Sequence, residues 1–490
     1  MSASKNKKMR MEAKNAPDAA ANAPLTGQQK EKRKYRITVA VISIVLVIFI
    51  LAVILLSSSV AYNRFNSVKI GNEKFTACEY SFYYGAVYQQ YYSMLANYYG
   101  SSMDSSMMPG SDVLQPEALS MMQRTVAIHH AAEEAGYEMD EDAQAQVETY
   151  MSSAQSAAAQ YTNGDVDEFL VKNYCRGMSE KIYRECVEYY VYATSYGMSV
   201  YNGYSYTADE LSAYYADNAD EFDVFSYDWF LFKNEDYDDK AVEEANAFLE
   251  QLKAGEDFKK VAYEFATDEK KESYDSGSST TTTLSGSSLS DTLKGWLTDA
   301  SRDTGDCDVI ETDDGAYVVQ FLSRDNNDYH LVNFRHILIS PETINESDYE
   351  TEEAYQQAKE EADATAKEEA DMYYMLWKEN PTEENFGKMA TQYSDDSPEG
   401  GLYEDVYKGK MVAEVNDWIF DASRKEGDTT IVKTEYGYHI MYFAGKSDIR
   451  YCDTLAESEK REEDYSNWQN ECIGDSFEVS TNIIFKLTAQ

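Results

Sequence analysis

The chain has 490 residues, more than one hydrophobic core accommodates, which predicts two to four domains. Asp and Glu outnumber Lys and Arg by 88 to 43, and the net charge of −45 disfavours nucleic acid and other partners bound through phosphates. Six cysteines without a Cys-x-x-Cys pair, and five histidines without ligand spacing, predict neither a metal site nor a cofactor.

Residues 37–56 carry no charged side chain and are mostly Val, Ile and Leu. At about 1.5 Å per residue, a helix of this length spans the roughly 30 Å hydrocarbon layer of a membrane. We therefore predict a basic tail at 1–36 and a transmembrane helix at 37–57. The positive-inside rule places the tail in the cytoplasm and the acidic main body outside the cell membrane. The alternative is a cleaved signal peptide, since residues 59–61 resemble a small-residue cleavage site.

Residues 66–222 are rich in helix formers and tyrosine, with apolar positions at helical spacing. A strand-like piece at 67–75 comes first, and the clearest helices are predicted at 114–135, 143–161 and 167–196. The chain has 42 tyrosines, which either offer amphipathic surface to extended polypeptides or pack in ordinary helix cores. We expect a helical domain in this region.

The second half of the chain contains an internal duplication. Residues 296–321 and 418–443 align without a gap at an offset of 122, with ten identities in 26 positions. Upstream, EDFKKVAYEFATDE from Glu256 matches ENFGKMATQYSDDS from Glu384. Strand and helix patterns occur in the same order in both copies, which predicts two α+β domains of about 100 residues.

The two copies differ in the segment before the short helix. The first copy has a run of Ser and Thr from Ser273, without apolar periodicity, and we expect a mobile loop there. The second copy has PEGGLYEDVYKGKMVAEV at 398–415, with Tyr, Val and Met at intervals. Only the second segment is predicted to wall an apolar pocket.

Two of the five histidines, His336 and His439, fall on the strands that we expect to pair in the second copy. Residues opposed across a sheet lie about 5 Å apart, so the two imidazoles would meet on one face. The first copy has Trp229 and Tyr317 at these positions. By position alone, the histidines either carry chemistry or only satisfy hydrogen bonds in a core.

The second copy resembles the parvulin family of peptidyl-prolyl cis/trans isomerases over about 333–443. The resemblance rests on RHILI, FGKMATQYSDDS, Gly-Gly, KGKMV, DASRKEGD and YGYHI, in this order. It implies a parvulin domain at 331–446 and a catalytic set consisting of the paired histidines, a Cys-or-Asp position and a hydroxyl: His336, His439, Asp396 and Thr434.

Met411 matches the family's proline-pocket methionine, and Phe420 falls in the apolar stretch that follows. Val415 stands where an aromatic pocket residue is common. Holding a proline ring requires an apolar pocket, and stabilising the twisted amide requires polar groups. Met411, Phe420, Val415 and Tyr403 suit the first requirement, as substrate-binding residues. No cysteine lies between Cys307 and Cys452, and we assign no nucleophile.

The first copy, at 225–325, keeps Asp268 and Thr312 but lacks both histidines and the pocket segment. We predict that this degenerate parvulin-like domain is catalytically silent. Its expected use is structural or in holding substrate.

The whole arrangement resembles the extracytoplasmic foldases: the membrane-anchored ones of Gram-positive bacteria and the periplasmic one of Gram-negative bacteria. The resemblance implies an α+β protein with a helical chaperone-like body at 66–222, completed by a segment at 451–490, and two parvulin-like domains behind one transmembrane helix. Its implied partners are unfolded or proline-containing secreted polypeptides. The alternative is a non-catalytic holdase that uses both parvulin-like domains as binding modules.

The cysteines leave two interpretations open. Cys452 and Cys472 could bridge the ends of the C-terminal segment, as could Cys175 and Cys186 within the helical region. Free thiols in a reducing habitat are the alternative.

Overall fold

The computed structural model describes residues 27–56, 58–396 and 398–488. Residues 1–26, most of the predicted basic tail, and Ser57, the last residue of the predicted span, lie outside the described residues. The chain divides into two compact units, one of Met1–Tyr204 with Asp464–Gln490 and one of Ser205–Glu463. Of the helices in the described residues, none is both long and apolar enough to cross a membrane.

Unit one begins with a series of helices interrupted by one β-hairpin. Its elements before residue 205 are α1 (Gly27–Leu56), α2 (Ser59–Asn63), β1 (Asn66–Ile70), β2 (Glu73–Thr76), α3 (Ala77–Tyr99), α4 (Ser111–Ala135), α5 (Glu141–Tyr161), α6 (Val166–Asn173) and α7 (Glu180–Gly203).

Side-chain caps start four of these helices. Thr76 and Glu79 form a capping box at α3, and Asp140, Asp165 and Ser179 accept backbone N–H groups at the starts of α5, α6 and α7. Such caps satisfy donors that the helix itself leaves unpaired, each at about 1 kcal/mol. The apolar faces of the helices and hairpin close over one core, whose largest fully buried side chains are those of Ile70, Leu114, Met122, Met151 and Leu170.

The prediction of one helix over 167–196 is wrong, because the structure breaks it into α6 and α7. Gly177 lies in the break at φ +103°, a conformation that favours glycine. Ser179 then accepts the N–H of Ile182 and starts a new helix.

Unit two contains the duplicated α+β region. Its elements are α8 (Ala208–Asp217), α9 (Ala219–Phe222), β3 (Val224–Lys233), α10 (Ala241–Lys253), α11 (Phe258–Phe265), α12 (Asp268–Asp275), β4 (Thr281–Ser285), α13 (Asp291–Leu297), β5 (Cys307–Thr312), β6 (Gly315–Asp325), β7 (His330–Ile339), α14 (Glu352–Lys378), α15 (Glu383–Tyr393), β8 (Leu402–Val406), α16 (Ala413–Ile419), β9 (Thr429–Thr434) and β10 (Gly437–Arg450).

The two copies have the same sheet topology. The strand orders are β4-β3-β6-β5 in the first and β8-β7-β10-β9 in the second, with antiparallel pairing throughout. Both β5–β6 and β9–β10 are hairpins related by the offset of 122 residues. The structure therefore repeats the internal similarity of the sequence strand by strand.

The Ser/Thr run of the first copy is not an irregular loop, contrary to the sequence prediction. Its threonines form the edge strand β4, and Thr280 and Thr281 donate hydroxyl protons to Asp228 Oδ1 at 3.0 and 2.6 Å. Threonine is β-branched and favours strands, so this segment extends without apolar alternation.

The chain ends with α17 (Tyr451–Ile473), β11 (Val479–Thr481) and α18 (Ile483–Thr488). Strand β11 pairs antiparallel with β1, so a C-terminal strand completes the three-stranded sheet of unit one in the order β11-β1-β2. Just after β11, Asn482 Oδ1 accepts the N–H of Ile484 and begins α18.

Two further differences concern domain edges and cysteines. Helices α8 and α9, predicted as part of the helical domain, belong to unit two, where Leu211 and Tyr215 bury against Cys452 and Ala456. All six cysteines lie within the described residues and are free thiols. Cys452 and Cys472 lie near opposite ends of α17, an arrangement that a disulfide cannot bridge.

Candidate active site

The sheet of the second copy has two different faces. Ile337, Ile339 and Ile440 point to one face and pack under α14 and α15. The alternate positions point to the other face, where Phe334 and Met441 join an apolar cluster with side chains from β8 and α16. Because side chains alternate along a strand, His336 and His439 lie on this second face.

Strand pairing brings the two histidines together. His336 is opposite Met441 and His439 is opposite Leu338, so the imidazoles occupy diagonal positions on one face. Their Nδ1 atoms are 2.8 Å apart, and the rings stack at 5.0 Å with 14° between their planes. Both side chains are buried.

The segment after α15 carries Asp396 to the pair. Ser394 Oγ accepts the N–H groups of Leu338 and Asp396, and the N–H of Asp395 donates to the Leu338 carbonyl, which fixes the segment on β7. Asp396 Oδ2 then lies 2.6 Å from Nε2 of His336. The carboxylate is thus positioned by backbone contacts as well as by the histidine.

Thr434 contacts the other end of the pair from the β9–β10 turn. Its Oγ1 lies 2.8 Å from Nε2 of His439 and accepts the N–H of Tyr436 at 3.1 Å. Gly437 closes this turn at φ +134°, where an added Cβ would lie 2.3 Å from the carbonyl oxygen of Ile339. Only glycine fits this close approach, which sets the position of Thr434 against His439.

Thr434, His439, His336 and Asp396 form a hydrogen-bonded row. Their contacts define which atom carries each proton along this row. A carboxylate only accepts, so Nε2 of His336 carries a proton that it donates to Asp396. Nδ1 of the neutral His336 ring then accepts from Nδ1–H of His439. His439 Nε2 in turn accepts the hydroxyl proton of Thr434. Each donor has an acceptor, and both imidazoles are neutral in this arrangement.

The electrostatics agree with neutral rings. Burial lowers the pKa of His336, an effect opposed by its hydrogen bond to Asp396. Burial, followed by the neighbouring His336, lowers the pKa of His439 to about 4. Both shifts favour the neutral form of the two imidazoles.

Tyr403 connects the polar row to the apolar cluster. Its hydroxyl donates to Asp396 Oδ2 at 2.6 Å, and its ring stacks on Phe334 at 5.1 Å with 4° between the planes. Burial, and then Asp396, raise the pKa of this phenol. Sequence reasoning placed Tyr403 only in the pocket and missed the contact with Asp396, as it missed Ser394.

Met411 and Phe420 lie partly exposed on the same apolar cluster as Tyr403. Val415 is fully buried in this cluster. It therefore has no surface to offer a substrate, contrary to the substrate-binding role expected from the sequence.

Arg335, which sequence reasoning used only as part of a motif, holds the glycine pair near the site. It donates from Nε to Glu383 and from Nη1 to the Gly400 carbonyl, at 2.9 and 2.8 Å. An added Cβ at Gly401 would lie 2.2 Å from the His336 carbonyl oxygen, so this loop lies directly against β7. A basic residue next to a histidine on a strand was the available signal.

The first copy has aromatic rings at the equivalent diagonal. Trp229 is opposite Val319 and Tyr317 is opposite Leu231, with ring centroids 6.0 Å apart. Trp229 Nε1 donates to Thr282 Oγ1, a hydroxyl of β4. Among the described residues, no group of three or more His, Cys, Asp and Glu side chains is arranged to hold a metal ion.

Comparisons with known proteins give one family assignment. Residues 336–445 match the family model described as rotamase, PPIC-type PPIase domain. No curated protein matches the chain significantly.

Solved structures of PrsA are also similar. Peptidylprolyl isomerase PrsA from Bacillus anthracis matches at 18% identity over 31% of this chain, with a TM-score of 0.19, and the chain spans 60% of its length. PrsA from Bacillus subtilis matches at 14% identity over 58% of this chain and 91% of its own, with a TM-score of 0.16. The family match is specific to the second copy, and it includes the histidine pair. Residues 336–445 of this chain are thus a parvulin-type peptidyl-prolyl cis/trans isomerase domain.

Proposed function

We propose that this chain is an extracytoplasmic foldase whose second parvulin unit isomerises X-Pro bonds in secreted polypeptides. The observation that carries the proposal is the hydrogen-bonded row Thr434–His439–His336–Asp396, beside a partly exposed apolar surface within the matched domain. In this proposal the four residues are the catalytic set.

The reaction needs no bond to break. Rotation about a peptide bond faces a barrier of about 18–20 kcal/mol, because conjugation is lost in the twisted state. A twisted imide is less polar than a planar one, so a site that removes water favours the twisted state. Twisting also localises the nitrogen lone pair, which dipoles fixed in the site can stabilise. Met411, Phe420 and the ring of Tyr403 provide the apolar surface for proline. The neutral histidines provide fixed dipoles without adding a net charge.

In the same proposal, unit one binds unfolded segments of the client. Unit one has a cavity of about 850 Å³, and tyrosine contributes much of its lining, including Tyr62, Tyr80, Tyr84, Tyr88, Tyr174 and Tyr183. Tyrosine combines apolar contact area with a polar tip, which suits varied polypeptide segments. This feature also favours the second candidate, a holdase in which no parvulin unit acts as a catalyst.

We further propose that residues 37–56 anchor the protein in the cell membrane with the main body outside. The support comes from the sequence, where twenty uncharged residues follow a basic tail. Fractionation of cells with alkaline carbonate tests the anchor. The protein is expected to stay with the membrane, and release of the intact chain would contradict anchoring.

Refolding of a proline-limited client distinguishes the two candidate functions. An X-Pro isomerase accelerates the slow refolding phase, which takes tens of seconds without catalysis. A holdase changes the yield of folded client and leaves the rate of that phase unchanged. The proposal expects acceleration by catalytic amounts of the full chain, and a change in yield alone would favour the holdase.

A further inference from the structure

Two cysteines of unit one are in contact although 97 residues separate them in the sequence. Sγ of Cys175 lies 3.0 Å from Sγ of Cys78. Cys78 is in the first turn of α3, and Cys175 is in the connection between α6 and α7. The sequence offered Cys186 as the partner of Cys175, whereas the structure places Cys78 there.

Both cysteines are held by defined backbone. The capping box of Thr76 and Glu79 fixes the start of α3. The Cys175 carbonyl accepts the N–H of Met178, and the thiol of Cys78 donates to the carbonyl of Arg176 at 4.0 Å. An S–S bond is about 2.05 Å long, so the present contact needs only about 1 Å of further approach.

The two thiols differ in access. Cys78 is fully buried in the core of unit one, whereas Cys175 is half-buried and lines the tyrosine-rich cavity. A dissolved reagent therefore reaches Cys175 first. Tyr80 lines the same cavity, and its buried hydroxyl has no hydrogen-bond partner among the described residues. The cavity wall thus has a polar group that a bound molecule or water would satisfy.

The two thiols also differ in acidity. The contact with Cys78, followed by hydrogen bonds to Ser81 and the Met178 backbone, lowers the pKa of Cys175 despite its burial. The bond to Cys175, followed by burial, raises the pKa of Cys78. Because Cys175 is also the thiol that lines the cavity, Cys175 is the attacking thiol and Cys78 the resolving thiol.

We propose that Cys78 and Cys175 are an oxidation site of the helical body, which closes to a disulfide when a disulfide donor enters the cavity. The Cys175 thiolate attacks one sulfur of the donor, forms a mixed disulfide and releases one donor thiolate. Cys78 gives up its proton and attacks Sγ of Cys175, which forms the Cys78–Cys175 bond and expels the second donor thiolate. Two protein thiols are oxidised, and one donor disulfide is reduced to two thiols.

The disulfide would tie the start of α3 to the α6–α7 connection. Closing a loop of this length restricts the unfolded chain more than the native one, so the oxidised protein resists unfolding better. It would also fix one wall of the cavity. The proposal is independent of isomerase activity, because unit two takes no part in it.

Peptide mapping of the full chain tests the proposal. The protein is equilibrated with oxidised glutathione or with dithiothreitol, denatured, alkylated with N-ethylmaleimide and digested. We expect a linked pair of peptides containing Cys78 and Cys175 after glutathione, and alkylated forms of both after dithiothreitol. The midpoint of thermal unfolding should rise by several degrees on oxidation.

Two variants provide the controls. Cys186→Ser removes the other buried thiol of this core and should retain the linked peptides and the thermal shift. Cys175→Ser should leave Cys78 alkylated and abolish the shift. The proposal is overturned if wild-type Cys78 and Cys175 remain alkylated, if Cys175 is found linked to Cys186, or if it stops at the glutathione adduct. These outcomes are read on the wild-type chain, so they do not depend on how well a variant folds.

Discussion

Nδ1 of His336 faces Nδ1 of His439 at 2.8 Å, so only one of the two nitrogens carries a proton between the neutral rings. Asp396 decides which one, because it accepts from the opposite nitrogen of His336. The site is therefore a row of defined donors and acceptors in which a single tautomer of each ring satisfies every partner.

The tautomers can be observed by ¹⁵N NMR, since the chain contains only five histidines. We expect the proton on Nε2 in His336 and on Nδ1 in His439. Asp396→Ala should yield mixed tautomers at His336, because Nε2–H loses its acceptor. Asp396→Asn, whose amide oxygen still accepts, should retain the wild-type pattern. A proton on Nδ1 of His336 in the wild type would contradict the proposed order.

Stability should fall as the pH drops from about 6.5 towards 4. Folding lowers the pKa of His439 to about 4, so between these values the unfolded chain binds more protons than the native chain. The contribution is complete above pH 6.5 and amounts to at most about 3 kcal/mol. Urea unfolding of wild type and His439→Gln at several pH values measures the difference. An identical pH dependence in both proteins would refute the assignment.

Met411 and Val415 should separate binding from stability. Val415→Ala removes a fully buried side chain and should lower the free energy of unfolding by about 2 kcal/mol. Met411→Ala, at a half-buried position, should lower kcat/KM about tenfold through lost apolar contact and change stability less. Denaturant unfolding and peptide isomerisation of both variants test the contrast. A larger loss of activity in Val415→Ala, with a larger loss of stability in Met411→Ala, would contradict the assignment of Met411 to the proline-binding surface.

Gly437 and Gly445 form a matched pair on β10. Both have φ near +130°, but an added Cβ at Gly445 meets no atom of the described residues within 4 Å, whereas at Gly437 it meets the Ile339 carbonyl. Gly445→Ala should therefore cost only backbone strain, about 1–2 kcal/mol. Gly437→Ala should cost more and also reduce activity, since it displaces Thr434. Equal losses of unfolding free energy would show that the close approach is unimportant.

Much of this site could be predicted from the sequence, because local patterns in the sequence determine where its histidines lie. A duplicated unit and strand-like runs around His336 and His439 were enough to place both imidazoles on paired strands. The contacts of Tyr403 and Ser394 with the row were not predictable, because they depend on how loops fold back on β7. The Cys78–Cys175 contact was missed for the same reason, as tertiary packing joins residues 97 positions apart.

The fold, like the site, could be predicted from the sequence only where local patterns determine it. Apolar periodicity predicted α4 and α5, but not the interruption around Gly177, which lies between the end of α6 and the serine cap that starts α7. Strand β4 was not predicted from the sequence, because its segment has no apolar alternation and is held by threonine hydroxyl contacts with Asp228.

Cis/trans exchange of a short X-Pro peptide, measured by NMR with the full chain, tests whether the second parvulin unit is the active isomerase. His439→Ala in the second copy is compared with Tyr317→Ala, the equivalent position of the first copy. We expect His439→Ala to lower catalysed exchange at least about tenfold, or about 1.4 kcal/mol of transition-state stabilisation, and Tyr317→Ala to leave it unchanged. Wild-type activity that survives His439→Ala, or that is lost in Tyr317→Ala, would contradict it.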